Sequence, residues 1–129
     1  MLDTALRSIL YVEDDLHART TAKLVLEVIG KFYVRACSSG HEALLAAQDF
    51  HPDLILLDVM MPELDGLATL KLLRSMPHLA GTPALFVTSL TTAADIDRYM
   101  GAGAIGVIPK PLVPLRLAGQ VSALWEERR

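Results

Sequence analysis

Short apolar runs alternate with amphipathic helical patterns along the whole of this chain, and few folds tolerate that order of elements. Strands are expected near residues 8–13, 32–37, 53–58, 83–88 and 105–109, with helices near 16–29, 39–49, 65–75, 92–101 and 113–127. The runs Ile9-Leu10-Tyr11-Val12, Leu54-Ile55-Leu56-Leu57 and Ile105 to Ile108 are continuous and rich in branched side chains. Strands buried on both faces read this way. The first helix repeats apolar residues at Ala18, Ala22, Val25, Leu26 and Ile29, and the last at Leu117, Ala118, Val121, Leu124 and Trp125. Each set marks one face of a 3.6-residue period. Ser38-Ser39 offers a cap for the second helix, Gly30 an end for the first, and Asp65-Gly66 a start for the third. Such alternation predicts right-handed βαβ units, hence a doubly wound parallel sheet with helices on both faces.

A chain of 129 residues suits one domain, 1–129, with a real core, and no linker, repeat or low-complexity segment divides it. No apolar stretch is long enough to span a bilayer. The segment Met1 to Arg7 lacks the apolar core of a signal peptide before Ser8, so a cytoplasmic protein is expected. One cysteine, Cys37, cannot form an internal disulfide, which fits a reducing compartment, and it is read as inert packing at a strand end. Net charge is −3, with no basic run beyond Arg128-Arg129, which disfavours direct nucleic-acid binding.

Three charged fragments end three of the apolar runs: Glu13-Asp14-Asp15, Asp58, and Lys110-Pro111. A charge at the end of a buried strand is costly without a partner. In a parallel sheet those ends converge on the edge where open α/β sheets bind ligands. One acidic pocket with a lysine beside it is therefore expected. Glu13, Asp14 and Asp58 offer hard oxygen ligands suited to magnesium, and two carboxylates plus a main-chain carbonyl would suffice. Asp15 is read as a helix-start acid favoured by the dipole. His17, His41, His51 and His78 lack metal-ligand spacing and are read as surface or loop residues.

The stretch from Pro52 to Gly66, Asp-Leu-Ile-Leu-Leu-Asp-Val-Met-Met-Pro-Glu-Leu-Asp within it, resembles the phosphorylation segment of bacterial two-component response-regulator receiver domains. Ile9 to Asp15 resembles their opening strand and acidic pair, Val87-Thr88-Ser89 the end of their fourth strand, and Lys110-Pro111-Leu112 their lysine–proline turn. The resemblance implies a flavodoxin-like sheet of five strands in the order 2-1-3-4-5, with five helices. It implies that Asp58 takes a phosphoryl group from a phosphohistidine on a sensor histidine kinase or histidine phosphotransfer protein. Asp14, Asp58 and the Met60 carbonyl would bind Mg2+ directly, with Glu13 acting through water. Thr88 and Lys110 would each meet a phosphoryl oxygen, and a downstream protein target would read the result. The family's Lys-Pro peptide is cis, which Lys110–Pro111 would share.

Four positions depart from the family pattern. Val107 stands where an aromatic ring often swings inward, and valine is stiff at χ1. Ile105-Gly106 replaces the acidic pair of winged-helix regulators, and Pro109 removes a main-chain N–H beside the site. An aspartyl phosphatase would carry a second aspartate where Met60 stands, and a flavin or nucleotide binder would meet repulsion from Glu13-Asp14-Asp15. A receiver acting as a phosphorylation-controlled binding module, with no catalysis on an outside substrate, is the preferred reading. A stand-alone receiver is expected in preference to a fragment of a longer regulator or hybrid kinase, and a degenerate scaffold is disfavoured by the complete charged set.

Overall fold

The computed structural model describes residues 5–128. The first four residues of the segment read as leaderless, and Arg129, lie outside the described residues. Strands β1 (Ser8–Val12), β2 (Tyr33–Cys37), β3 (Leu54–Asp58), β4 (Ala84–Thr88) and β5 (Gly106–Pro109) alternate with helices α1 (Leu16–Val28), α2 (Gly40–Ala46), α3 (Gly66–Arg74), α4 (Ala93–Gly101) and α5 (Pro114–Glu127). Every strand pairing is parallel, and the strands lie in the order β2-β1-β3-β4-β5, as expected.

Strand alternation divides the core in two. Ile9 and Tyr11, Leu54 and Leu56, and Leu85 and Val87 pack with Leu26, Leu117 and Val121 of α1 and α5. Leu10 and Val12, Ile55 and Leu57, and Ala84 and Phe86 pack on the other side with Leu70, Leu73 and Tyr99 of α3 and α4. β3 and β4 are buried along their whole length, so their apolar runs carry no polar interruption until Asp58 and Thr88. A fully buried aliphatic side chain contributes roughly 1.5–3 kcal/mol, so this two-sided burial holds the sheet.

Three local expectations are corrected. The second helix stops at Ala46 and continues as a single 3-10 turn, Ala47–Asp49. Phe50 is already extended, and Pro52 disfavours helical geometry at His51. At the end of α1 the left-handed residue is Lys31 (φ 61°), not Gly30. Gly30 is needed for space instead, because a Cβ there would stand 2.7 Å from the Leu26 carbonyl oxygen. Ser39 and Asp65 cap α2 and α3 as the sequence suggests, accepting from the N–H groups of Glu42 and Ala68. His78 also departs from expectation, being half-buried with Nε2 2.7 Å from the Ala47 carbonyl oxygen.

Candidate functional site

Because the strands are parallel, the ends of β1, β3, β4 and β5 open onto one edge of the sheet. Glu13 follows β1 directly, and its N–H donates to the Cys37 carbonyl at 3.0 Å, which carries the ladder one residue past the strand. Glu13 and Asp58 are 1% and 3% exposed, whereas Asp14 faces solvent. Carboxylate oxygens of Glu13, Asp14 and Asp58 all lie within 4.8 Å of one another. Lys110 enters from the end of β5, its Nζ 3.0 Å from Glu13 Oε1 and 3.2 Å from Asp58 Oδ1. The Lys110 N–H donates to the Thr88 carbonyl at 2.9 Å, so pairing resumes after Pro109, which has no N–H to give. The Lys110–Pro111 peptide is cis.

Burial pushes the Asp58 carboxyl up to about 6, and the charge of Glu13 adds to the rise while Lys110 opposes it. Burial alone would lower the Lys110 ammonium, but hydrogen bonding to Glu13 and the charges of Asp58 and Glu13 outweigh it and hold it above its ordinary value. Two buried acids thus face one lysine, an excess of negative charge at the sheet edge. Three carboxylates with converging oxygens suit a hard divalent cation, which would relieve that excess. The Cys37 thiol is raised to about 11, by burial first and then by Glu42, which keeps it protonated and fits a packing role.

The rest of the predicted set is distributed around this edge. Asp15 is the N-cap of α1, accepting from the Ala18 N–H at 2.8 Å, and its own N–H donates to Glu13 Oε2 at 3.1 Å. Met60 lies two residues beyond β3 with its side chain exposed. Thr88 is buried, and its Oγ1 accepts the Leu90 N–H at 3.0 Å. Gly66 lets α3 press against the end of β3, since a Cβ there would be 2.2 Å from the Asp58 carbonyl oxygen. Arg19 was not legible from the sequence. Its Nη1 donates to the carbonyls of Glu13 (2.8 Å) and Asp14 (3.3 Å), so α1 fixes the main chain that presents the two acids. Main-chain acceptors leave no motif, and the one available signal was a cation one helical turn into α1.

A family model described as response regulator receiver domain matches residues 9–122, and the chain belongs to that family. The histidine-protein kinase BarA of Escherichia coli K12 is 36% identical over 85 residues, covering 66% of this chain and 9% of that protein. The DNA-binding response regulator MtrA of Mycobacterium bovis is 33% identical over 122 residues, covering 95% of this chain and 52% of that protein. The chain therefore spans about half the length of one of these curated relatives and a small part of the other. Among solved structures, the chemotaxis protein CheY4 of Vibrio cholerae superposes with a TM-score of 0.85 at 29% identity, covering 93% of this chain and 99% of that one. The receiver domain of a histidine kinase from Syntrophus aciditrophicus gives 0.78 at 34% identity, covering 93% and 90%.

Proposed function

We propose that this member of the receiver family is a phosphoacceptor whose nucleophile is Asp58. A sensor histidine kinase or histidine phosphotransfer protein presents a phosphohistidine, and an Asp58 carboxylate oxygen attacks its phosphorus. The new P–O bond forms as the P–N bond breaks, and the bonding pair of the broken bond stays on the departing imidazole. Glu13, Asp14, Asp58 and the Met60 carbonyl are the residues that would hold Mg2+, which supplies charge neutralisation for the acids and the phosphoryl oxygens. Lys110 meets one phosphoryl oxygen and the Thr88 hydroxyl donates to another. Glu13 would act on the ion through water. The domain then changes the face it offers to a downstream protein, within the cytoplasm, without contacting nucleic acid itself.

The observation that carries this reading is the position of the Lys110 Nζ, 3.0 Å and 3.2 Å from two buried acids at the ligand-binding edge of a doubly wound sheet. Phosphoryl transfer is mostly positioning and charge neutralisation, and this arrangement supplies both. No helix among the described residues is long and apolar enough to cross a membrane. Intact-mass measurement after incubation with acetyl phosphate and magnesium tests the proposal. Wild type should gain one phosphoryl group and Asp58→Asn none, because an amide is a poor nucleophile. Equal labelling of the Asn variant would overturn the assignment.

A further inference from the structure

We infer that Tyr99 is a positioning residue for the Thr88 hydroxyl, acting through the main chain of Leu90. This rests on the reading that Thr88 meets a phosphoryl group on Asp58. Leu90 is the second residue after β4, and its side chain is 40% exposed, so packing gives that loop position little anchorage. Two hydrogen bonds fix it instead. Its N–H donates to Thr88 Oγ1 at 3.0 Å, and its carbonyl accepts from Tyr99 Oη at 2.9 Å. These groups belong to the two peptide units flanking one Cα, so the pair of bonds restrains both backbone dihedrals of Leu90.

Tyr99 is suited to hold its end. It is fully buried on α4, its ring centroid 5.4 Å from that of Phe86 on β4, and its carbonyl accepts the Ala104 N–H at 3.2 Å. Buried tyrosine hydroxyls usually find a hydrogen-bond acceptor, and that of Tyr99 finds the Leu90 carbonyl among the described residues. At the other end, a threonine hydroxyl has one proton and two lone pairs. Accepting the Leu90 N–H occupies a lone pair and leaves the proton free to donate towards the site. The Tyr99–Leu90–Thr88 chain therefore selects the hydroxyl orientation from which donation is available. Val107, packed into the same cluster, has no polar atom with which to do this from β5.

Tyr99→Phe removes the hydroxyl and keeps the ring, and Thr88→Val removes the acceptor at nearly constant shape. In unphosphorylated protein, the Leu90 amide of Tyr99→Phe should exchange with solvent about fivefold faster, the size of one net hydrogen bond, while the amides of Leu85 to Val87 keep their rates. Phosphoryl uptake from acetyl phosphate should slow several-fold in Tyr99→Phe and further in Thr88→Val. The double variant should match Thr88→Val alone, because the tyrosine acts only through the threonine. Unchanged Leu90 exchange in Tyr99→Phe, or additive effects on uptake, would overturn the inference. A wild-type protein that takes no label would instead overturn the phosphoacceptor reading, and the Leu90 rate would still decide the tether.

Discussion

Lys110 and Asp58 approach to 3.2 Å across the gap between β5 and β3, with the end of β4 between them. Lys110 is shared with Glu13 at 3.0 Å, so one cation serves two acids from two strands. Its removal is thus not the loss of a surface pair, since both acids are almost completely buried.

Lys110→Met should leave two buried carboxylates facing each other uncompensated. A loss of about 2 kcal/mol is expected at neutral pH in urea unfolding, with a smaller loss at pH 5, where Asp58 is more protonated. Asp58 should then hold its proton to higher pH than in wild type, which carboxyl-carbon NMR titration measures directly. An Asp58 midpoint unchanged by the substitution would show that the lysine does not act on it.

The raised Asp58 carboxyl gives stability a definite dependence on pH. Its ordinary value is 3.8 and burial lifts it to about 6 in the folded state. As pH rises, the unfolded chain releases this proton first, so the folded state binds more protons across that window. Stability contributed by the protonated group is fully present below about pH 4 and is lost as pH rises through about 6, amounting to at most about 3 kcal/mol. In metal-free protein, Asp58→Asn should therefore gain on wild type progressively between those limits. Parallel stability-versus-pH curves for the two proteins would count against it.

Magnesium should stabilise the fold by relieving repulsion among Glu13, Asp14 and Asp58. At ten times its dissociation constant the gain is about 1.4 kcal/mol, read from thermal or urea unfolding. Asp14→Ala should lose the response. Trp125 lies in the last turn of α5, a helix that starts at the site edge and runs away from it, so its fluorescence should barely change on titration. A large fluorescence change would place the cation elsewhere.

Gly66→Ala should destabilise the fold by about 3 kcal/mol. The added methyl meets main-chain atoms of Asp58 and Val59, which cannot move aside as a side-chain tip can. The same shift displaces Asp58, the proposed nucleophile, so phosphoryl uptake should fall together with the urea midpoint. Wild-type uptake in a folded Gly66→Ala protein would argue that the β3–α3 junction tolerates movement.

The sheet was legible because a strand buried on both faces must be apolar throughout, and the acids stood out because they break such runs. Glu13, Asp14 and Asp58 could be grouped for that reason, and the structure does bring their oxygens together. The short α2 was less legible, since apolar spacing continues past Ala46 and the stop comes from the backbone near Pro52. Arg19 and Tyr99 were missed for a different reason. Both act on main-chain carbonyls, and Tyr99 sits at a spacing where a ring reads simply as core.

The division of the core into two sides bears on how the site keeps its shape. By strand alternation Asp58 falls in step with Leu54 and Leu56, on the α1–α5 side, while Thr88 falls in step with Ala84 and Phe86, on the α3–α4 side. The two residues thus sit one step out of phase on adjacent strands, joined through the pairing of Asp58 with Val87. Neither hydrophobic layer sets their separation alone; the β3–β4 ladder does. A substitution that repacks one layer but preserves the ladder leaves the spacing of the two groups intact. One that slides β3 along β4 by a residue reverses the flank of every β3 side chain and dismantles the site at a stroke. The β3–β4 ladder is therefore the gauge of this site.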